Sequence, residues 1–429
     1  MKINSRRILF WAIDRLKKKR VRHHYDQVRT ILESDEDGFV ADNQEEKLAK
    51  LLAHVQSTVP FYRNHGVLRL DTLPVVTKSI IKKDILQFRS SVFPDKGVRT
   101  VSTSGSTGIP FKVYQDREKT YRNTADTLYF SNRIGYAIGE KLYYFRLWDA
   151  FQKKSKWMQQ LQNLVPIDVA TLPEKIGEVF RTMRCDSQVH CIGYVSAYEA
   201  LCRYAVEQPS GSFPELKSAI AISETLPPAL QERFCDVFGC PLISRYSNSE
   251  CGILAQQNAN ALEFEVNTAS YYMEILDLQT HTPVTPGTLG RIVVTDLYNK
   301  AMPLVRYDTG DLGIAASTLS NGAVSVLSVV EGRETDVIYD DRGKALNFNV
   351  TLLFGQYPEI EQFQFIQKNI NEFILKVKHK EGFEHVEDIV KRLRSYVGKD
   401  ALITVESVED IPLLPSGKRK IISNEMKNH

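Results

Sequence analysis

No two cysteines of this 429-residue chain stand in a CxxC pair, and all six (Cys185, Cys191, Cys202, Cys235, Cys240, Cys251) fall within a single third of its length. With apolar neighbours around several of them and no metal-ligand spacing at Cys240 or Cys251, a disulfide framework and a zinc site are both excluded; buried thiols of a reducing compartment are expected. No apolar run approaches the roughly 20 residues of a membrane span. The start lacks the long apolar core and small-residue cleavage site of a signal peptide. Charge of one sign is also missing: 55 Lys and Arg against 52 Asp and Glu leave +3. That balance excludes the one-faced electrostatic footprint of a nucleic-acid binder. Internal repeats and low-complexity tracts are absent. What remains, 43% hydrophobic and 25% charged, is a soluble globular composition with enough core for two domains.

The even balance breaks once, in "MKINSRRILFWAIDRLKKKRVRHHYD". Arg6, Arg7, Arg15, Lys17, Lys18, Lys19, Arg20 and Arg22 face one acid, Asp14, before Tyr25. Leu9, Ile13 and Leu16 recur at helical spacing beside Phe10 and Trp11, which predicts a basic amphipathic helix over residues 1–25. Such a helix rests on an anionic membrane surface or packs on its own domain. The second use is the commoner, and is preferred here.

Beyond it, strand patterns alternate with helical ones: "KLYYF", then "QVHCIGYV" with "SAYEALCRYAVEQ", then "SAIAIS" with "PPALQERFCDVFG", then "PLISRY". The alternation predicts a parallel sheet with covering helices. After Cys251, "YYMEILD" and "GRIVVTD" are joined by a turn rich in Pro283, Pro286 and Gly287, which predicts antiparallel strands. From Val337 the chain reads as a smaller unit: strands at "FQFIQ", "FILKVKH" and "ALITVES" around a helix, "VEDIVKRLRSYV". The expected fold is α/β, with a large N-terminal domain over 1–336 and a small, mobile C-terminal α+β domain over 337–429.

Between strand-like "VRTV" and "FKVYQ" lies "TVSTSGSTGIP", from Thr100 to Pro110. Its backbone amides and hydroxyls can converge on an anion, as phosphate-cradling loops do, or simply be solvated. It has no Gly-Lys-Ser/Thr ending, which argues against a P-loop phosphotransferase.

Other segments answer this loop in order: "RYSNSE" (Arg245 to Glu250), "LVRYDTGD" (Leu304 to Asp311), "GRETD" (Gly332 to Asp336) and "LPSGKRK" (Leu414 to Lys420). Together the five resemble the ordered motif set of the adenylate-forming acyl-ligase superfamily. "HVQSTVPFYRN" (His54 to Asn64) and "LPVVTKSIIKKDI" (Leu73 to Ile85) narrow the resemblance to the branch of phenylacetate-CoA ligase, capsule-biosynthesis CapK and coenzyme F390 synthetase.

The resemblance implies an enzyme that joins a carboxylate to ATP, releases pyrophosphate, and passes the acyl group from acyl-AMP to a nucleophile. On that pattern Ser104, Gly105, Ser106, Thr107 and Gly108 hold phosphates, Glu250 binds Mg²⁺, Tyr246 stacks on adenine, and Asp311 accepts from the ribose hydroxyls. Arg333 reaches the nucleotide, Asp336 is the hinge, and Lys418 bridges carboxylate and α-phosphate, with Lys420 as its near neighbour. Tyr194, Ser196, Ser223 and Ser244 are expected to line the acyl pocket. The branch's Gly-Glu pair is Ser223-Glu224 here, and its valine-asparagine-valine-aromatic-proline run becomes "RGKALNFNV", keeping Gly343 but placing Phe348 at the proline. CoA, a carrier protein and an amine such as an amino sugar therefore all stand as acceptors. A surface-polysaccharide role, a cytoplasmic location with peripheral contact at the inner membrane face through the N-terminal helix, and a homodimer are the further expectations. Against turnover stands one alternative, a nucleotide- or acyl-binding or carrier-docking module on the same fold.

Overall fold

The computed structural model describes residues 4–426 except 64–67, 95, 104–110, 149–154, 209–213, 260, 334–337, 344–345, 347–353, 355–356, 358, 380–382 and 413–419. Its N-terminal part begins as two helices, not one: α1 (Ser5–Leu16) and α2 (Arg20–Leu32). The break falls at Lys18 and Lys19, both at positive φ, and Asp14 is the reason it holds. Its carboxylate is buried and accepts from the amides of Val21 (2.9 Å) and Arg22 (3.0 Å), satisfying free N–H groups of the second helix. The lone acid of the basic stretch is thus a helix cap. α1 packs on its own domain through Phe10 and Trp11 while Ile8 and Leu16 stay exposed.

α3 (Asp37–Thr58) and α4 (Lys78–Lys83) lead to a hairpin of β1 (Arg99–Thr103) and β2 (Phe111–Gln115), paired antiparallel on either side of the Ser/Thr/Gly loop. α5 (Arg117–Asn132) follows, capped by Asp116, whose side chain accepts from the Lys119 amide at 2.8 Å.

An eleven-stranded sheet then joins both halves of the large unit. Its parallel half consists of β3 (Lys141–Arg146), β4 (Leu164–Asp168), β5 (Val189–Tyr194), β6 (Leu216–Ile222) and β7 (Leu242–Asn248). Helices α6 (Lys156–Gln162), α7 (Leu172–Cys185), α8 (Val195–Val206) and α9 (Pro228–Phe238) connect these strands. At β8 (Gly252–Gln257) the sheet turns antiparallel and continues through β9 (Phe264–Val266), β10 (Tyr271–Leu276), β11 (Leu289–Asp296), β12 (Tyr307–Thr318) and β13 (Val324–Arg333). The order β10-β11-β12-β13-β9-β8-β7-β6-β5-β3-β4 puts the change of direction between β7 and β8. Apolar strands such as β6 and β11 are buried along nearly their whole length, as strands covered on both faces must be.

A separate four-stranded sheet, ordered β16-β15-β14-β17, contains β14 (Ile360–Asn369), β15 (Glu372–His379), β16 (Leu402–Ser407) and β17 (Ile422–Asn424). Helix α10 (Val386–Val397) buries Ile389, Leu393 and Val397 in a core with Phe365, Phe373 and Leu375. This is the small C-terminal α+β domain. Four cysteines (Cys191, Cys202, Cys240, Cys251) are buried and two (Cys185, Cys235) exposed, all as free thiols. Among the described residues no helix is long and apolar enough to cross a membrane.

Candidate active site

The site forms where the end of β7 meets the start of β12. β7 runs out through Tyr246, Ser247 and Asn248 into a tight turn that carries Glu250, and Asn248 Oδ1 closes it by accepting from the Cys251 amide at 2.8 Å. β12 begins with Tyr307 and reaches Asp311 through Gly310, whose φ of +78° suits glycine. Asp308 Oδ1 accepts from the Gly310 amide at 2.8 Å and steadies that bend.

The two segments follow one pattern that the motif reading missed. Each reads Arg-Tyr, three residues, then an acid: Arg245, Tyr246 and Glu250 in one, Arg306, Tyr307 and Asp311 in the other. The tyrosines cross over. Tyr246 donates its hydroxyl proton to Asp311 Oδ2 at 2.8 Å, with Thr309 Oγ1 at 3.2 Å, while Tyr307 donates to Glu250 Oε1 at 2.7 Å. Burial, and then the neighbouring carboxylate, pushes both phenols well above their ordinary range, so both remain protonated donors.

Glu250 is 1% exposed and shares that same Oε1 with Lys78 Nζ at 2.8 Å. Lys78 opens α4 inside "LPVVTKSIIKKDI", a stretch quoted above without a role. Its placement comes from backbone pairing: the Val76 amide donates to Arg306 O and the Asp308 amide to Val76 O, both at 2.9 Å, so the segment adds to the start of β12. Gln115 Nε2 donates to Glu250 O at 3.0 Å and ties the hairpin of the Ser/Thr/Gly loop to the same turn. Arg306 takes a left-handed φ of +46°. It is held there by a two-pronged pairing with Glu274 (3.1 and 2.9 Å) and by bonds to Leu73 O and Thr295 Oγ1. Strain of this kind costs on the order of 1–3 kcal/mol and persists only where partners over-determine it.

Among the described residues no group of three or more His, Cys, Asp or Glu side chains can cage a metal ion. A single buried carboxylate fits Mg²⁺ bound the way this ion usually is, through one protein acid and substrate phosphates. Ser104, Gly105, Ser106, Thr107, Gly108, Asp336 and Lys418 lie outside the described residues, as do Phe348 and the side chain of Arg333. The backbone of Arg333 pairs with Asp311 across β12 and β13.

On the opposite face of β7 from Tyr246 lies a cavity of about 490 Å³, roofed by α1 and α5. Its walls include Leu128, Tyr144, Ile220, Ile222, Ser247 and Ile253, with Arg245 among them. None of the four expected pocket residues lines it. Side chains alternate along a strand, so Ser244 faces away from the cavity that Arg245 and Ser247 enter, and its amide donates instead to Gln257 Oε1 at 2.8 Å. Tyr194 ends β5 and Ser223 follows β6 at a φ of +70°. The Ser196 amide donates to Glu224 Oε2 at 3.1 Å, so Tyr194, Ser196, Ser223 and Glu224 gather at the carboxyl ends of β5 and β6. Missed by motif reading were Lys78, Gln115, Tyr307 and Arg245; three of them stood inside quoted motifs, but only long-range pairing gives them partners.

A family model for the CapK C-terminal domain matches residues 337–425. Protein CapK of Staphylococcus aureus is 22% identical over 449 residues, covering 96% of this chain and 94% of the relative. Phenylacetate-coenzyme A ligase of Thermus thermophilus is 25% identical over 307 residues, covering 63% and 64%. Among solved structures, 2-hydroxyisobutyryl-CoA ligase in its postadenylation state superposes with a TM-score of 0.68 at 15% identity, over 92% of this chain and 89% of that one. The anthranilate CoA ligase AuaEII, in complex with anthranoyl-AMP, reaches a TM-score of 0.52 at 13% identity, over 79% and 70%. The C-terminal domain matches that of CapK, the chain is similar to CapK along nearly its whole length and to phenylacetate-CoA ligase over about two thirds of it, and its fold is that of adenylate-forming CoA ligases.

Proposed function

We propose that this chain activates a carboxylic acid with ATP to an acyl-AMP and transfers the acyl group to an acceptor, the division of labour falling between an N-terminal domain (1–336) and a mobile C-terminal domain (337–429). The observation that carries the reading is the crossed pair Tyr246–Asp311 and Tyr307–Glu250, which brings Asp311, in this reading the ribose acceptor, and Glu250, in this reading the metal-binding acid, together beside the Ser/Thr/Gly hairpin.

In the first step a carboxylate oxygen of the substrate forms a bond to the α-phosphorus, the bond between α-phosphorus and the bridging oxygen breaks, and pyrophosphate leaves. Both reactants are anions, so the site must neutralise charge and hold them in line. Ser104, Gly105, Ser106, Thr107 and Gly108 would hold the β- and γ-phosphates, Tyr246 the adenine, Asp311 the ribose, and Arg333 and Lys418 the reacting phosphate and carboxylate. Mg²⁺ held by Glu250 and the phosphates would offset the charge of the departing pyrophosphate. Lys78 keeps Glu250 paired and aimed before nucleotide arrives. In the second step a thiol or amine adds to the acyl carbon, gives up its proton, and expels AMP. The activities named for the relatives favour CoA as acceptor; a carrier protein or an amino sugar, with a role in surface-polysaccharide assembly, follows the similarity to CapK. The cavity behind β7 is the acyl pocket of this reading.

The test is pyrophosphate release with ATP, Mg²⁺ and hydroxylamine over a panel of carboxylic and amino acids, with Glu250→Gln beside the parent. Acid-dependent release that falls by about 10²-fold or more in the variant is expected. ATP binding without release on any acid would reduce the chain to a binding module.

A further inference from the structure

The two Arg-Tyr pairs differ in one respect. Arg306 lies against a carboxylate, Glu274 at 2.9 Å. Arg245 is equally buried, at 5% exposure, yet no acid reaches it among the described residues. Its guanidinium donates to two neutral oxygens, Gln256 Oε1 at 2.7 Å and Ser131 Oγ at 3.3 Å. Burial without an acid pulls its pKa down to about 10, the direction that desolvation of an unbalanced cation gives. A buried charge is costly unless it is paired, and a guanidinium has five donors in a fork that fits a carboxylate. Arg245 also lines the 490 Å³ cavity, whose described lining holds a second arginine, Arg6 at the α1 side, and neither aspartate nor glutamate. Tyr136 and Tyr144 are the other acid-base side chains of its wall besides Cys191. Apolar walls around one buried cation, with the exposed Arg6 at the α1 side, describe a pocket for an organic body with an anionic end.

We propose that the acid activated by this chain carries a second anionic group, which docks on Arg245 within the cavity while the reacting carboxylate faces the nucleotide. The inference rests on the ligase reading and adds the substrate class: dicarboxylic acids, or acids with an equivalent oxyanion. The counter-charge that Glu274 supplies to Arg306 is, for Arg245, supplied by the substrate.

The test compares straight-chain monocarboxylates with dicarboxylates of the same length, and benzoate with isophthalate, in the hydroxylamine assay. Parent, Arg245→Met and Arg245→Lys are run together. The parent should favour the diacid in kcat/KM by about 10²-fold or more, because the matching monoacid leaves a buried cation unpaired. Arg245→Met should collapse that ratio, and Arg245→Lys should keep part of it. A parent that prefers monoacids, or a diacid-to-monoacid ratio unchanged in Arg245→Met, would overturn the proposal. If Arg245→Met does not fold, the parent's preference and the Arg245→Lys ratio decide. If no acid releases pyrophosphate, the ligase reading fails separately, and thermal unfolding then judges the pocket alone: stabilisation of the parent by a diacid and not by its monoacid supports it, and equal or absent shifts reject it.

Discussion

Tyr246 and Tyr307 each give one hydroxyl proton to a carboxylate that belongs to the other's segment, so neither acid is left to find its orientation when a ligand binds. Tyr246→Phe keeps the ring and removes the bond to Asp311. A net hydrogen bond is worth about 1 kcal/mol, so ATP affinity should weaken by roughly fivefold in a direct titration. Tyr246→Ala should weaken it further through lost ring contact. Another single residue bears on pH. Glu331, on β13 opposite Leu312 of β12, has its carboxyl pushed up to about 7 by burial. Between the ordinary value of 4.5 and that raised value the unfolded chain is ionised while the folded chain is not, so stability falls as pH rises across this window. Glu331→Gln should therefore be more stable than the parent above neutral pH, by up to about 3 kcal/mol, and equal to it in acid below both values. Urea unfolding at a series of pH values checks this.

At the scale of elements, α5 is the piece that locks the Ser/Thr/Gly hairpin onto the antiparallel strands. It begins directly after β2, and Asp116 at its start also accepts from the Lys300 amide at 2.7 Å. One turn on, Lys119 is fully buried, 2.8 Å from the Asp296 carboxylate and 2.9 Å from the Tyr271 hydroxyl. Arg122, also fully buried, donates to Ser270 Oγ and Ala269 O. Lys119→Met should destabilise the protein by about 3–5 kcal/mol, since it leaves Asp296 buried without its cation. Chemical unfolding gives the number. Replacing Lys119 and Asp296 together by apolar residues should recover much of the loss, because the stranded charge goes with its partner.

At the scale of the whole molecule, the proposed chemistry draws on both domains, with Lys418 arriving from the small one. Such an arrangement separates the two half-reactions. Lys418→Ala should lower acid-dependent pyrophosphate release by about 10²- to 10³-fold, the scale of one lost preorganised charge. Transfer from preformed acyl-AMP should suffer much less. Equal loss in both steps, measured in single turnovers, would remove Lys418 from the adenylation role.

What the residues determined by themselves is local and periodic. Period-two and helical patterns placed β3, β5, β6, β7, β10 and β11 and the helices α8 and α9 between them, because those patterns record which side of each element meets the core. Short motifs pointed to Tyr246, Glu250 and Asp311 through their ordered resemblance to the adenylate-forming set, since each motif keeps its residues near one another in the chain. Partnership across the chain was decided only by tertiary structure. Lys78 reaches Glu250 because its segment pairs with β12, more than two hundred residues on, and no local pattern carries that pairing. The lining of the cavity is decided in the same way: Ser244 and Arg245 are neighbours in sequence, but the pleat sends them to opposite faces of the sheet, and the packing of α1 and α5 decides which face holds a cavity.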